Sequence, residues 1–240
     1  MKKKIIILVV AILLIILLAF TVILFTSVKK DLKIESNLTK EITELNLLIE
    51  NNDTSNINTR LNTITTSGDY VLVEKAAKNY LKDKEKLFKE MYEILDNSDN
   101  IENLLMIDNI KADGKEFTNT ISLINNTGSK LTKLRDEYQS LTSREKIESY
   151  LTKKLREDDY YNDYYLNELM ADMMNNQKNL DAINEYLATV SKLKDIFSFL
   201  RENKDNWNLE NDKIMFSSET LYNYYEGLLT GISDDKVNNM

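Results

Sequence analysis

The stretch DDYYNDYYLNELMADMMNNQKNLDAINEYLATVSKLKDIFSFLRE, residues 158–202, carries the clearest structural pattern in the chain. Apolar residues recur along it at spacings of three, four or seven, which places them on one face of an α-helix. The pattern therefore predicts one long helix over 158–202, with Asn176 as a polar interruption of its buried face that would set register in a bundle. The apolar positions are Leu169, Met173, Leu180, Ile183, Leu187, Val190, Phe197 and Leu200.

The same helical spacing continues on both sides of this stretch. Pro is absent and only five Gly occur in 240 residues, a composition that favours long helices. Asp113-Gly114 predicts a break between two of them. We expect an all-α protein: a helical stalk over 29–51, an elongated antiparallel bundle over 52–232 and a frayed tail over 233–240. Within the stalk, Leu38, Ile42, Leu45 and Ile49 form one apolar helical stripe.

One short segment departs from the helical period. Residues 207–216, WNLENDKIMF, predict a small β-hairpin with Asn211-Asp212 as its two-residue turn. In that register Glu210 pairs with Lys213, Leu209 with Ile214 and Trp207 with Phe216, so that opposite charges and apolar side chains face each other.

The N-terminal segment predicts a membrane anchor. A basic n-region over 1–4 precedes 24 uncharged residues, IIILVVAILLIILLAFTVILFTSV, at 5–28. A helix of that length covers about 36 Å, enough to cross a hydrocarbon core of about 30 Å. The run is longer than the apolar region of a signal peptide and ends without a small-x-small cleavage site. We interpret it as an uncleaved single-pass transmembrane helix; atypical cleavage is the alternative.

Orientation depends on a small difference in flanking charge. Three lysines precede the run, and Lys29, Lys30, Lys33 and Lys40 follow it, so the positive-inside rule nearly ties. The export-like n-region favours an N-terminus inside and a body outside the cytoplasm, in the cell membrane of a bacterium. The alternative is a reversed topology with a coiled-coil body in the cytoplasm.

Composition also limits the chemistry. The chain has no His and no Cys, which removes the commonest general base and the thiol nucleophile. Its net charge of −8 disfavours nucleic acid as a partner. Residues 96–102 alternate acidic and polar side chains like a calcium loop, but Ile101 and Ile107 occupy the positions that need Gly and Glu. We predict no catalytic residues, no cofactor and no metal site.

Aromatic residues are the candidates for a binding surface. Tyr160 and Tyr164 fall on one helical stripe, and Tyr161 and Tyr165 on the next. This face would suit a protein or a cell-wall glycan; the alternative is that two tyrosines pack in the core and two cover its edge. Trp207 either attaches the hairpin to the bundle or contacts a partner.

These observations favour a non-enzymatic, membrane-anchored interaction or scaffold protein of a bacterial cell envelope. Its partners would be the membrane, through 5–28, and a protein partner or a second copy of the chain. The first alternative is a ligand-sensing helical ectodomain that works with a separate signalling partner. A cell-wall enzyme is a further alternative, which the missing His and the missing motif disfavour.

Overall fold

A computed structural model describes residues 2–53, 55–96, 101, 103–175 and 177–237. It describes side chains from residue 25 to residue 231 within those ranges, apart from residue 27. The predicted polar interruption at Asn176, most of the calcium-like segment and the end of the predicted tail lie outside the described residues.

The described chain is mostly helical. The α-helices are α1 (Lys2–Glu50), α2 (Ile57–Asn62), α3 (Tyr70–Asp96), α4 (Ile107–Asp113), α5 (Thr118–Thr142), α6 (Arg144–Ser149), α7 (Lys153–Arg156), α8 (Asp159–Asp163), α9 (Ala171–Met174), α10 (Gln177–Glu202) and α11 (Glu219–Val237). A π-helix spans Tyr164–Leu169, a 3-10 turn spans Lys204–Asn206, and two strands follow, β1 (Trp207–Glu210) and β2 (Lys213–Phe216). The predicted helical class is therefore confirmed, and so is the break at Gly114, where φ is +70°.

The predicted single helix over 158–202 is divided into α8, the π-helix, α9 and α10. In the π-helix the Met170 amide donates to the Tyr165 carbonyl, five residues back, at 3.0 Å. Tyr164, Tyr165 and Leu166 are all buried in this segment. A single π-helical turn changes the spacing of apolar residues too little to be distinguished from an α-helix by periodicity, which is why the pattern missed this change.

Residues 1–82 and 148–171 form one compact unit, called unit 1 here. Within it, α1 packs against α2 and the π-helix. The predicted stripe of α1 is buried at Leu38, Ile42, Leu45 and Ile49, each 3% exposed or less. The segment predicted as a stalk therefore contributes these four side chains to the core of unit 1.

Residues 83–147 and 172–240 form the second compact unit, unit 2. Its largest helix contact joins α5 and α10, and α11 packs against α10 and β2. Gly128 lies at the α5–α10 contact, where an added Cβ would be 3.4 Å from Cγ1 of Val190. The described core of this contact includes Ile124, Leu131, Leu134, Tyr138, Ile183, Val190, Leu193 and Phe197.

The β-hairpin of unit 2 has the predicted register. Strands β1 and β2 are antiparallel, with Trp207 opposite Phe216, Leu209 opposite Ile214 and Glu210 opposite Lys213. Asn211 and Asp212 have φ of 50° and 57°, as a type I′ turn requires at both central positions. The prediction of a hairpin at 207–216 is confirmed.

Among the residues that the structure describes, no helix combines the length and the apolar character needed to cross a membrane. The predicted span at 5–28 lies mostly outside the described side chains.

Candidate functional site

Two side chains set the position of the tyrosine segment in unit 1. Thr152 caps α7 by accepting from the Leu155 amide at 3.4 Å. Asp158 caps α8, because its carboxylate accepts from the amides of Tyr160 and Tyr161 at 3.2 and 3.3 Å. Ser, Thr and Asp are preferred at such positions because their oxygens satisfy amides that have no partner in the helix.

The four tyrosines of the predicted binding surface occupy different environments. Tyr164 and Tyr165 are buried, with 3% and 0% exposure. Tyr160 is 54% exposed, and Tyr161 is half-buried. The structure therefore brings only Tyr160 and Tyr161 to the surface, while the other two belong to the core of unit 1.

Glu35 of α1 accepts hydrogen bonds from three tyrosine hydroxyls of this region. The Tyr70 and Tyr160 hydroxyls both donate to Oε1 of Glu35, at 2.8 and 2.5 Å. The Tyr164 hydroxyl donates to the backbone carbonyl of Glu35 at 3.0 Å. We call Glu35, Tyr70, Tyr160, Tyr161 and Tyr164 the Glu35 cluster. Sequence reasoning missed Glu35 and Tyr70, since neither stands near the tyrosine segment in the chain.

The rings of the Glu35 cluster pack edge to face. The Tyr70 ring is 5.2 Å from that of Tyr161 and 6.1 Å from that of Tyr164, at interplanar angles of 84° and 80°. Aromatic rings favour this arrangement because the positive edge of one meets the negative face of the other. The cluster thus joins α1, α3, α8 and the π-helix.

The phenols of this cluster are neutral at physiological pH. Burial raises the pKa of Tyr70 and raises that of Tyr164 to about 12. The hydrogen bond to Glu35 raises the pKa of Tyr160. As neutral phenols, Tyr70, Tyr160 and Tyr164 each donate a hydrogen bond to Glu35.

A buried ionic network holds the loop between α2 and α3. Lys78 Nζ lies 2.8 Å from Oε1 of Glu74 and donates to the carbonyls of Arg60 and Thr63 at 2.9 and 2.6 Å. The Glu74 carboxylate also accepts hydrogen bonds from the amides and hydroxyls of two threonines, Thr65 and Thr66. The network fixes the loop and leaves neither charge exposed, so its role is structural.

Trp207 is buried in unit 2, with 2% exposure. Its Nε1 donates to the Leu200 carbonyl at 2.7 Å, and its ring stacks on Phe117 with centroids 6.0 Å apart. Lys115 Nζ lies 4.8 Å from the centre of the indole ring. Trp207 therefore attaches the hairpin to the helices of unit 2, and its ring is not open to a partner.

An open groove of about 1010 Å³ runs along α5 and α10 in unit 2. Small side chains of α5, such as Gly128, Ser129 and Thr132, line it together with Ser191 of α10. Two lysines, Lys133 and Lys194, and two carboxylates, Asp136 and Glu137, also line the groove, so its charges balance. Its lining is Ile124, Asn125, Gly128, Ser129, Thr132, Lys133, Asp136, Glu137, Ser140, Leu187, Val190, Ser191 and Lys194. Sequence reasoning missed this surface, whose only local signal is the placement of small residues along α5.

Within the side chains that the structure describes, no group of three or more potential metal ligands lies close enough together to hold a metal ion. No known protein family matches the chain, and no curated protein or solved structure is significantly similar to it.

Proposed function

We propose that this chain is a single-pass membrane protein whose helical body acts outside the cytoplasm as a non-enzymatic interaction or scaffold protein. The observation that carries the proposal is the continuity of α1 from Lys2 to Glu50. The apolar run at 5–28 and the buried stripe at Leu38, Ile42, Leu45 and Ile49 belong to one helix. Such a helix would hold the packed part of unit 1 close to the membrane without a flexible linker.

The groove of unit 2 supports a protein partner for the body. Gly128, Ser129 and Ser191 leave little side-chain volume along part of it, which would allow a third helix to approach closely, at the 8–10 Å typical of packed helices. Polar and charged side chains at its borders, Lys133, Glu137 and Lys194 among them, would fix the orientation of that helix. The proposed occupant is a helix of a partner protein.

The location of the body is tested by labelling intact cells. Because the chain has no cysteine, a Leu47→Cys variant carries one reactive thiol on an exposed position of α1. A membrane-impermeant maleimide is expected to label it on intact cells. Labelling that appears only after lysis would show the reversed topology and would contradict this part of the proposal.

The partner is tested by crosslinking from the groove. A photo-crosslinking amino acid at Ser129 is compared with one at Lys130, and one at Ser191 with one at Asp195. All four positions are exposed, but only Ser129 and Ser191 line the groove. We expect a discrete protein adduct from both groove positions and none from their neighbours. Equal crosslinking from all four positions would contradict the proposed surface.

The sensor alternative has one supporting observation. The groove is as large as a typical small-molecule pocket, although it is far more open. Thermal stabilisation of the purified chain by a small molecule, without any position-dependent protein adduct, would favour a sensor over a scaffold.

A further inference from the structure

The segment of α1 between the apolar run and the packed part of unit 1 is very short. On α1, Val28 and Leu32 are 55% and 58% exposed, whereas Leu38 is buried. Asp31 and Glu35, which lie between these positions, are already partly covered. The packed body thus begins within about one turn of the end of the apolar run, and the exposed Leu32 extends the apolar surface to that point.

Tyr160 and Tyr161 of α8 lie beside this part of α1. The Tyr160 hydroxyl donates to Oε1 of Glu35 at 2.5 Å. The hydrogen bond to Glu35 and, to a smaller extent, the charge of Asp31 raise the pKa of Tyr160, whereas burial and the charges of Asp69 and Asp31 raise the pKa of Tyr161. At about 1.5 Å per residue, Asp31 and Glu35 lie about 5 and 10 Å beyond Val28 along the helix axis. The headgroup layer on each side of a bilayer is about 5–7 Å thick. If 5–28 spans the bilayer, the level of Asp31 lies within this layer and the level of Glu35 lies at its outer border, so the tyrosine side chains of α8 would reach the outer headgroups.

The side chains around Tyr160 and Tyr161 are of types that suit the headgroup layer. Tyrosine is enriched at membrane interfaces because its ring is apolar and its hydroxyl is polar. Lys153 and Arg156 of α7, which directly precedes α8 in the chain, are exposed, and Lys33 of α1 is exposed as well. Acidic side chains are also present there, so the edge has no strong net charge. The basic residues of 29–35 and 153–159 are Lys29, Lys30, Lys33, Lys153, Lys154 and Arg156, and the acidic residues of these segments and of position 69 are Asp31, Glu35, Asp69, Glu157, Asp158 and Asp159.

We infer that Tyr160 and Tyr161 form a membrane-docking edge that inserts among phospholipid headgroups of the bilayer that 5–28 crosses. This inference rests on the proposed membrane anchor. The contact would fix the tilt of α1 and of the helices packed on it relative to the bilayer. Because the edge carries both signs of charge, docking would depend on the aromatic side chains and would be similar in zwitterionic and anionic bilayers.

The test places one spin label at a time in the full chain. Three single-cysteine variants are reconstituted in phosphatidylcholine vesicles: Ile15→Cys in the apolar run, Asp159→Cys beside the docking edge and Leu47→Cys as the control. Leu47 is 51% exposed on the same helix and lies about 28 Å beyond Val28. Collision rates with oxygen, which partitions into lipid, and with a water-soluble nickel chelate measure the depth of each label.

We expect the label at residue 15 to be inaccessible to the chelate and the label at residue 47 to be fully accessible. At residue 159 we expect chelate collisions reduced at least two-fold relative to residue 47. The same depth is expected when phosphatidylglycerol replaces a third of the lipid. An aqueous label at residue 15 would overturn the membrane anchor itself. A label at 15 in lipid, with 159 as accessible as 47, would overturn the docking edge alone.

A tyrosine substitution tests the proposed contact directly. In the Asp159→Cys background, replacement of Tyr160 and Tyr161 by Ser is expected to raise chelate collisions to the level of residue 47. Tyr186→Ser is the control, since Tyr186 is 39% exposed on α10. Circular dichroism establishes that each variant is folded. If the double variant folds and the depth at 159 does not change, the tyrosines do not hold the edge in the membrane.

Discussion

Glu74 and Lys78 form an ion pair one helical turn apart on α3, with 2.8 Å between Oε1 and Nζ and at most 1% of either residue exposed. Burial of two charges is costly unless every donor and acceptor is satisfied. Here the pair meets that condition through the backbone of the α2–α3 loop. The loop and the pair therefore depend on each other.

Lys78→Met is expected to destabilise the protein by about 3–5 kcal/mol, because it leaves the Glu74 carboxylate buried without its cation. The measurement is urea unfolding followed by circular dichroism. Lys89→Met is the matched control: Lys89 pairs with Glu85 at the same spacing and at 2.7 Å, but its side chain is 48% exposed. That substitution is expected to cost less than about 1 kcal/mol. Equal losses for the two variants would show that burial of the pair is unimportant.

Because of the Glu74 carboxylate, we expect the protein to lose stability in acid. Burial alone would raise the pKa of Glu74, but hydrogen bonds from Lys78 and the two threonines outweigh it and hold the pKa below its usual 4.5. A depressed pKa contributes stability that is complete above about pH 4.5 and is lost as the pH falls through the folded value. We expect the Glu74→Gln variant to be less stable at pH 7 and to lose less stability between pH 5 and pH 3. If the free energy of unfolding depends on pH in the same way for the variant and the wild type, Glu74 does not have this role.

Because of the buried phenols of the Glu35 cluster, we also expect the protein to lose stability at high pH. Burial raises the pKa of Tyr70 and raises that of Tyr164 to about 12. A raised pKa contributes stability that is complete below the unfolded value of about 10 and is lost as the pH rises through the folded values. Phenolate absorbance at 295 nm is expected to include a cooperative step that coincides with loss of helical circular dichroism. Tyr70→Phe, which keeps the ring contacts, should move that step to higher pH, whereas Tyr186→Phe should not.

Lys115 is expected to hold the hairpin of unit 2 in place. Its Nζ donates to the carbonyls of Lys204 and Trp207 at 2.7 and 2.5 Å and lies over the indole ring. Lys115→Met removes these bonds and should destabilise the protein by about 2 kcal/mol. Because Trp207 is the only tryptophan, a red shift of its emission would report the loosened hairpin directly.

The control for this measurement is Lys111→Met. Lys111 pairs with Asp212 of the same hairpin, but both side chains are well exposed. We expect no change in tryptophan emission from this variant. A red shift of similar size in both variants would show that any loss of positive charge near the hairpin has the same effect.

Substitutions at two glycines of unit 2 distinguish the effect of helix propensity on stability from the effect of helix packing. Gly227 in α11 has nothing within 4 Å of an added Cβ, so Gly227→Ala should stabilise the protein by up to about 1 kcal/mol. At Gly128 an added Cβ would already be 3.4 Å from Val190. Gly128→Ala should therefore gain less, and Gly128→Leu should lose at least about 1 kcal/mol by forcing α5 and α10 apart. Thermal unfolding checks the order; equal effects of Ala at both sites would show that the contact at Gly128 is loose.

Local patterns in the sequence predicted the local structure. Apolar spacing predicted the helices, Asp113-Gly114 predicted a break, and residues 207–216 predicted both strands and their register. These features depend on neighbouring residues alone: the period of side chains along a helix, and the positive φ that Asn211 and Asp212 tolerate in a tight turn.

What only the tertiary structure decided is which distant residues meet. Glu35 is 125 residues from Tyr160 in the chain, and Lys115 is 92 residues from Trp207; no periodicity relates such positions. The sequence likewise determined that tyrosines cover two adjacent helical stripes, but packing against α1 and the π-helix decided that Tyr164 and Tyr165 are buried and Tyr160 is exposed. Side-chain burial depends on the elements that pack around a residue, and a single sequence specifies those elements only through the complete fold.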